Sequence, residues 1–466
     1  MNFNPAYLNL SAMHGWEKYS ASLRGELRQC LDEGRDVEGY RALCEAVADL
    51  PDGVIREELA NVFFEAMQSA PMRADYPYVE PDALDAIQAA RPENRPALGA
   101  VCADTLKDKI RGAWLGRICG CLLGKPVEGM RTPDMHELLK NSGNFPLTRY
   151  MTLEDVKKTP RLLERWEKRT WADCLGKGGS YSGYPNHANV PCAPTDDDTN
   201  YTVMAAYGIV GRFGRDFTPD QVATAWMDCQ PKNAYCTAER RAFRNFVIGI
   251  RPPQSAMYKN PDREFIGAQI RGDYFGYINP GDPQTAADMA WRDACISHVK
   301  NGIYGEMFIA AMIAAAAVTD DLAEIVKAGL GEVPAKSRLT AAVNNILSEY
   351  QSGKSEDECF AGIASRWDEF KGYDWVHTIS NAEIVAASLL YGQGDYAHSI
   401  CRAVQTGFDT DCNGATVGSI VGMMRGSSAV SEEWTAPIHG ALATSIFGID
   451  LVTIDQLVDK TMEHLA

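Results

Sequence analysis

The chain has 466 residues, enough for one large domain with an appendage or for roughly two to three ordinary domains. Acidic residues outnumber basic ones by 62 to 45, which gives a formal net charge of −17. This balance disfavours a protein that binds duplex nucleic acid, since such proteins need a basic face. We therefore expect no nucleic-acid partner. Hydrophobic residues make up 45% of the chain, so a large core is expected rather than disorder.

The 13 cysteines are scattered, and no Cys-x-x-Cys or other zinc-like pairing occurs. They are interpreted as reduced thiols, and the expected location is the cytoplasm. The N-terminus lacks a basic region followed by an apolar run, so no signal peptide is predicted. The longest uncharged apolar run, Met307 to Val318, is far too short to span a membrane, and no membrane partner is expected.

Residues 1–105 are predicted to form an N-terminal helical extension. Apolar residues recur at three- and four-residue spacing in three stretches, 21–32, 38–49 and 55–68. Pro51 and Gly53 separate the second stretch from the third. No motif that carries chemistry lies in this segment, so a structural or interface role is favoured.

The remainder, residues 106–466, keeps a helical pattern with few of the alternating runs that are typical of strands. The predicted fold class is therefore all-α. Two long polar regions, 131–194 and 251–290, separate predicted helices. Both are predicted to be surface loops that help to form the site.

Two stripes of glycine recur at fourfold spacing. They are Gly112, Gly116, Gly120 and Gly124, and Gly414, Gly418, Gly422 and Gly426. This spacing places each stripe on one face of a helix. Each glycine lowers helix stability by about 1 kcal/mol relative to alanine, so a compensating contact is expected. We expect the two helices to lie in the core and to approach each other closely.

Asp196, Asp197 and Asp198 are adjacent carboxylates ahead of the apolar run 203–210. The helix dipole favours acidic residues at a helix start, and a single aspartate is enough to cap one. Three adjacent carboxylates repel each other, and a hard cation would relieve that repulsion. Helix capping and metal binding are both open interpretations of this motif.

A second acidic motif contains Asp409 and Asp411, again at a predicted helix start, with Gly407 allowing an unusual backbone at the turn. Their spacing points both side chains the same way in a turn or extended segment. Five carboxylates at two helix starts favour an oxygen-ligand site for Mg²⁺ over Zn²⁺, which prefers Cys and His. A third element, Gly-Cys-Leu-Leu-Gly-Lys-Pro-Val-Glu at 120–128, follows the first glycine stripe and ends at Glu128.

These three elements, in this order, resemble the motifs of the ADP-ribosylglycohydrolase family. That family includes dinitrogenase-reductase-activating glycohydrolases, ADP-ribosyl-acceptor hydrolases and J-crystallins. The resemblance spans about 106–430, and the three motifs together are specific where any single one would not be. It implies a compact orthogonal bundle of helices, preceded here by an extra N-terminal helical segment.

The resemblance also implies a cluster of two Mg²⁺ ions and a set of residues around it. The implied metal ligands are Asp196, Asp197, Asp198, Asp409 and Asp411. Glu128 matches the mobile glutamate that the family has near its metals. The segment 297–305 resembles the stretch that lines the ribose and phosphate side of the family's site. The implied substrate contacts are His298, Asn301, Gly302, Tyr304 and Gly305.

The sequence departs from the family pattern at three positions. Asp196 stands where the family has a metal-ligating threonine; a frame shifted to Thr195 is the alternative, but it loses other matches. Cys412 replaces a threonine that often helps to bind the second metal, and a neutral thiol is a poor Mg²⁺ ligand. Cys121 replaces an aspartate of the first motif. The chain therefore resembles a divergent branch of the family.

The reaction implied is hydrolysis at the anomeric carbon of ribose, which passes through an oxocarbenium-like transition state. The implied catalytic residues are Asp198 or Asp411, which would accept a proton from water, and Glu128, which would contact a ribose hydroxyl or the leaving group. The expected substrate is a small ADP-ribosyl or ribosyl molecule or an ADP-ribosylated protein. The alternatives are a hydrolase of a small N-riboside and a non-enzymatic protein of crystallin-like or ligand-binding type.

Overall fold

A computed structural model describes residues 18–162 and 192–465 of the chain. In the first range the α-helices are Leu23–Asp32, Arg41–Ala48, Val54–Ser69, Leu84–Ala89, Ala103–Gly124, Thr132–Ser142 and Leu153–Lys157. In the second range they are Asp197–Val203, Gly211–Phe213, Pro219–Cys229, Thr237–Val247, Gln254–Met257, Asp273–Tyr277, Pro283–Ala294, Asn301–Ala316, Leu322–Leu330, Arg338–Gln351, Glu356–Arg366, Gly372–Trp375, Thr378–Gly392, Tyr396–Gln405, Thr410–Arg425, Glu432–Thr435 and Ile454–Glu463.

Tighter and wider turns extend or connect several of these helices. The 3-10 turns are Tyr19–Ser22, Glu38–Tyr40, Lys125–Val127, Lys232–Ala234, Gln269–Arg271, Ser427–Ala429 and Ala436–Ile438. A π-helical segment, Met204–Val210, continues the helix that begins at Asp197. Such segments recur beside functional sites in proteins. The predicted all-α class is confirmed by this architecture.

One antiparallel hairpin interrupts the helices, with strands Ala441–Ile446 and Ile449–Thr453. It holds the chain that leads into the first acidic motif. The N–H of Ala193 donates to the carbonyl of Ala441 at 2.8 Å, and the N–H of Ala443 donates back to the carbonyl of Ala193 at 2.9 Å. The hairpin therefore fixes the approach to the Asp197–Val203 helix.

The helices Ala103–Gly124 and Thr410–Arg425 run antiparallel with their glycine stripes face to face. A Cβ atom on Gly116 would lie 2.0 Å from the carbonyl oxygen of Gly418. One on Gly120 would lie 2.0 Å from that of Gly414. No side chain fits at these distances, because carbon and oxygen atoms repel strongly well before this separation. The predicted close approach of the two helices is confirmed.

The apolar core has a large part and a small part. The small cluster consists of Tyr19, Leu23, Leu27, Cys30, Val37, Cys44, Val47, Ala48, Ala60, Phe63, Met67 and Ala70. Helices in this stretch confirm the periodicity of 21–32, 38–49 and 55–68. From Ile87 onward, the buried apolar residues belong to the large core. The division at residue 105 stays a prediction.

The prediction of a surface loop over 251–290 was wrong. Gln254–Met257 and Asp273–Tyr277 are helical within it, and Tyr274 and Tyr277 are fully buried because the segment packs into the large core. Pro283 begins a helix that runs to Ala294, with Asp282 as its N-cap accepting the N–H of Thr285 at 3.0 Å. An Asp-Pro pair is a common helix start, because the carboxylate caps and proline fits the first turn. In the other predicted loop, 131–194, the helices Thr132–Ser142 and Leu153–Lys157 form, and residues 163–191 lie outside the described part. Among the helices described, none has the length and apolarity needed to cross a bilayer.

Candidate metal centre

Both acidic motifs lie at helix starts, as predicted. Asp196 is the N-cap of the Asp197–Val203 helix, and its Oδ1 accepts the backbone N–H of Asp198 at 2.9 Å. Asp409 is the N-cap of the Thr410–Arg425 helix. Because the second helix packs antiparallel to the first glycine helix, its start lies against that helix's end. The glycine packing thereby positions the second acidic motif.

The turn before Asp409 has a left-handed backbone, with φ of +83° at Gly407 and +58° at Phe408. Glycine adopts this conformation without cost, whereas phenylalanine rarely does. Asn381 stabilises the turn from a neighbouring helix. Its Oδ1 accepts the N–H of Asp409 at 3.2 Å and the Nδ2–H of Asn413 at 2.8 Å. The unusual backbone predicted at Gly407 is confirmed, and Asn381 is a positioning residue that the sequence did not reveal.

The two motifs converge on one buried point. Ligand atoms of Asp198, Asp411 and Cys412 all lie within 4.8 Å of one another, and so do those of Cys121, Asp196 and Asp198. Asp198 Oδ2 and Asp411 Oδ1 are buried, and neither has a hydrogen-bond partner among the described residues. Buried carboxylate oxygens normally have a partner, since an unpaired buried charge is costly. These two oxygens are therefore suited to a cation.

Arg117 lies behind Asp198 and is fully buried on the first glycine helix. Its Nε donates to the carbonyl of Asp198 at 2.9 Å, and its Nη2 lies 3.2 Å from Asp198 Oδ1. On its other side, Nη1 lies 2.9 Å from Asp273 Oδ2. The guanidinium therefore fixes the orientation of the Asp198 carboxylate and leaves Oδ2 facing the cluster.

Lys125 is a second buried cation, and its Nζ donates to Asp196 Oδ2. Burial alone would raise the pKa of Asp196, but the Lys125 ammonium outweighs it and lowers that pKa below the ordinary aspartate value. Burial likewise would lower the pKa of Lys125, but Asp196 and Glu128 raise it. Both groups are therefore held in their charged forms.

The remaining carboxylates repel one another. Burial raises the pKa of Asp411, and the charges of Glu128 and Asp196 raise it further. Burial and Glu128 raise the pKa of Asp409 to about 7. Burial also raises the pKa of Asp198, against the opposing effect of Arg117. A divalent cation among these groups would remove the repulsion, and oxygen donors are the ligands that Mg²⁺ prefers.

Glu128 completes the acidic group. It follows the Lys125–Val127 turn at the end of the first glycine helix and is partly exposed. Burial raises the pKa values of Asp197, Asp409 and Asp411, and repulsion from the charge of Glu128 raises them further. The structure thus brings together all five predicted metal ligands and the predicted catalytic glutamate. The role of each stays a prediction.

The segment predicted to bind substrate is tied to other parts of the chain. The side-chain amide of Asn301 donates to Glu80 and to Glu264, both at 2.9 Å. The hydroxyl of Tyr304 donates to the carbonyl of Pro81. Substrate contact by Asn301 or Tyr304 would require these partners, two of which precede residue 105, to be given up.

His298 and the two glycines of this segment are closely packed. The Nδ1 of His298 lies 2.8 Å from the hydroxyl of Ser297, and its Nε2 lies 3.8 Å from Glu239. Burial lowers the pKa of His298 well below its ordinary value, so the ring is neutral. A Cβ on Gly302 would come within 2.5 Å of a backbone oxygen, and one on Gly305 within 2.6 Å of a methyl group. Substrate contact by these residues stays a prediction.

The sequence alone indicated no role for Lys125, which lies within the 120–128 element, or for Arg117, which precedes that element on the same helix. Lys125 is the single charged residue between positions 118 and 127. A lone charge in an apolar stretch is the signal that could have drawn attention to it, because buried lysine is rare unless paired. Arg117 carries a similar signal, since it falls between glycines at 116 and 120 on the buried face.

The family model described as ADP-ribosylglycohydrolase matches residues 103–465. No curated protein matches the chain. Among solved structures, a chain of an "ADP-ribosylglycohydrolase-related protein complex" is similar, with 15% sequence identity and a TM-score of 0.47. The similarity covers 78% of this chain and 98% of that one. The family match includes both glycine helices and both acidic motifs, and it excludes residues 1–102.

Proposed function

The chain belongs to the ADP-ribosylglycohydrolase family, and on that basis we propose that it is a Mg²⁺-dependent hydrolase of the bond at the anomeric carbon of ribose. Its substrate is an ADP-ribosyl conjugate, from which it releases ADP-ribose. The observation that carries this proposal is the convergence of Asp198 and Asp411, whose unpartnered buried oxygens come from two motifs far apart in sequence.

The donor set fits a magnesium ion. Asp198 and Asp411 would hold it, with Asp197 and Asp409 next to them. Carboxylate oxygens are hard ligands that suit Mg²⁺, whereas the neutral Cys412 thiol does not. When bound, the ion would supply Lewis-acid stabilisation and orient the ribose hydroxyls.

Asp198 is our first choice for the group that accepts a proton from the attacking water, and Asp411 is the second. Asp198 suits this role because Arg117 fixes its Oδ1 and leaves Oδ2 without a partner. A base must be held in position before its pKa matters. Asp411 has an unpartnered Oδ1 at the same point, but no arginine of the described residues forms an ion pair with it.

Glu128 would contact a ribose hydroxyl or the leaving group. Glu128 is partly exposed whereas Asp198 and Asp411 are buried, which would let it meet an arriving substrate. The surrounding negative charge suits the positive charge that develops at the anomeric carbon in the transition state. Acidic residues therefore serve both the cation and the reacting sugar in this proposal.

A cytoplasmic location is part of the proposal. The 12 cysteines among the described residues are all free. Many of these cysteines are buried in the core. A reducing compartment such as the cytoplasm would keep them as thiols. A shift of a purified sample to oxidising buffer should therefore form no disulfide that raises its melting temperature.

The decisive experiment measures release of ADP-ribose or ribose from a panel of ADP-ribosylated proteins and free N-ribosides. The expected result is release of ADP-ribose that stops with EDTA and returns with excess Mg²⁺. Cleavage of free ribosides alone would favour the small-molecule alternative. No cleavage of any substrate, with no Mg²⁺ uptake by calorimetry, would favour the non-enzymatic alternative.

A matched pair of variants makes this test specific. Asp409→Asn removes a carboxylate of the cluster and should abolish activity. Asp395→Asn makes the same change at the start of the preceding helix, Tyr396–Gln405, where asparagine caps as well as aspartate. It should keep full activity. Full activity in Asp409→Asn would contradict the proposed site.

A further inference from the structure

Lys125 is the feature of the site that the proposed function does not use. It is fully buried in the turn that follows the first glycine helix, and it carries the only charge between positions 118 and 127. Its ammonium binds Asp196, one of the five carboxylates at the cluster. A cation supplied by the chain itself therefore lies among residues expected to bind metal.

Asp196 has both oxygens engaged. Its Oδ1 accepts the N–H of Asp198 at 2.9 Å, and its Oδ2 accepts from Lys125. A metal ion bound by Asp196 would have to displace one of these donors. The other possible ligand on this side is Cys121, and sulfur is a soft ligand that Mg²⁺ disfavours. This side of the cluster is therefore poorly suited to Mg²⁺.

The opposite side of the cluster is different. Asp198 Oδ2 and Asp411 Oδ1 lack hydrogen-bond partners among the described residues, and both side chains are at least 99% buried. Their ligand atoms and that of Cys412 lie within 4.8 Å of one another. The structure thus has one position that needs a cation and one position where Lys125 already provides one.

We propose that the Lys125 ammonium takes the place of one of the two cations expected from the resemblance, so that the cluster binds a single divalent ion beside Asp198 and Asp411. A second divalent ion near Asp196 would be repelled by the ammonium at short range. This inference rests on the proposed function, since it specifies how many ions serve that same site.

The test is to count bound ions in the full-length protein with Mn²⁺, which takes the same oxygen ligands as Mg²⁺. Equilibrium dialysis gives the stoichiometry, and electron paramagnetic resonance distinguishes an isolated Mn²⁺ from two exchange-coupled ions. The wild-type protein should bind one ion per chain with the spectrum of an isolated ion. Lys125→Met, which keeps the volume and removes the charge, should bind two and give a coupled spectrum.

Lys107→Met is the matched control, because Lys107 forms an exposed ion pair with Asp459 far from any acidic motif in sequence. It should bind one ion like the wild type. If Lys125→Met does not fold, Asp196→Asn replaces it. Since Asp196 is not a ligand in this account, that variant should still bind one ion.

Each outcome separates this inference from the proposed function. Two ions in the wild-type protein would overturn the inference and leave a metal-dependent hydrolase intact. One ion in both the wild type and a folded Lys125→Met variant would also overturn it, as would loss of the ion in Asp196→Asn. No bound ion in the wild type would contradict the proposed function itself.

Discussion

Between the helices Ala103–Gly124 and Thr410–Arg425, backbone meets backbone, whereas the N-terminal extension meets the rest of the chain through charged side chains. At the first interface, glycine carbonyls fill the space that side chains would need. At the second, Arg263 lies 2.8 Å from Glu26 and 2.6 Å from Glu33, with all three side chains fully buried.

A second group of charges extends the N-terminal interface. Arg338 lies 2.9 Å from Glu80 and 2.7 Å from Glu264, and the amide of Gln29 donates to Glu264 at 2.7 Å. Gln29 and Glu80 are each more than 200 residues away in sequence from the partners they contact here, Glu264 and Arg338. Pairs of buried charges therefore contribute to fixing the extension, and each charge is costly if its partner is removed.

The two interfaces differ in how far the sequence alone could predict them. Glycines at fourfold spacing have a local signature, because one helix face carries them all. The partner of a buried charge leaves no such signature, since Glu26 and Arg263 come together only in the folded chain.

Arg263→Ala should lower the free energy of unfolding by about 3–5 kcal/mol, because it leaves Glu26 and Glu33 buried without their cation. Urea unfolding measures this loss. The triple variant Glu26→Gln, Glu33→Gln, Arg263→Met removes all three charges together. It should be more stable than Arg263→Ala. If the free energy of unfolding of Arg263→Ala lies within about 1 kcal/mol of the wild-type value, these charges do not hold the extension.

Gly116→Ala should lower the free energy of unfolding by about 1–3 kcal/mol, because its Cβ would overlap the carbonyl oxygen of Gly418 and force the helices apart. Gly25→Ala is the control. Gly25 lies in the helix Leu23–Asp32 with no atom near the added Cβ, so alanine should raise stability by about 0.5–1 kcal/mol. Equal effects from both variants would mean that the glycine contact is not what joins the helices.

Between about pH 5 and about pH 8, a rise in pH should weaken the first interface and leave the second unchanged when metal is removed. A carboxyl with a raised pKa contributes stability below its unfolded pKa and loses it as the pH rises through the folded value, which is about 7 for Asp409. The Arg338 charge outweighs burial and lowers the pKa of Glu264, so its contribution is lost only as the pH falls far below the ordinary glutamate range.

Hydrogen exchange in EDTA, corrected for intrinsic rates, measures this contrast. From about pH 5 to about pH 8, protection of Thr410–Arg425 should fall by about a hundredfold, because about two pH units of this range lie between the unfolded and folded pKa values of Asp409. Protection of Leu23–Asp32 should stay constant. Excess Mg²⁺ should abolish the fall. Protection that drops equally in both helices would contradict the contrast.

Tyr304→Phe has the smallest expected effect. Loss of the hydrogen bond to the carbonyl of Pro81 should lower stability by about 1 kcal/mol. If Tyr304 serves the docking of the extension, as its contact indicates, KM should change by less than about twofold, or under 0.5 kcal/mol. A large rise in KM at unchanged stability would instead assign Tyr304 to the substrate.

Much of the fold could be predicted, and the reasons are local. Helical periodicity indicated the all-α class and the helices before residue 70, and the glycine stripes indicated the closest contact in the core. The hairpin was missed because Ala441–Ile446 is buried on both faces except at its first residue, so no alternation marks it as a strand. Helices such as Pro283–Ala294 were missed because polar faces made the region resemble a loop.

For the candidate site, the sequence indicated that Asp196 and Asp409 begin helices, and the glycine packing then brings those starts together. It did not indicate that Lys125 and Arg117 pair with these carboxylates. Charge compensation inside a protein is decided by which segments meet, and that depends on the whole fold. The same reason explains why the contacts of Asn301 with Glu80 could not be foreseen.

The most direct test of the central claim is a crystal structure of the protein with Mn²⁺ and ADP-ribose bound. The expected result is an anomalous Mn²⁺ signal in contact with Asp198 and Asp411, with the ribose hydroxyls beside it and Glu128 at the sugar. Mn²⁺ absent from the acidic cluster, or ADP-ribose bound away from it, would rule out the proposed metal site.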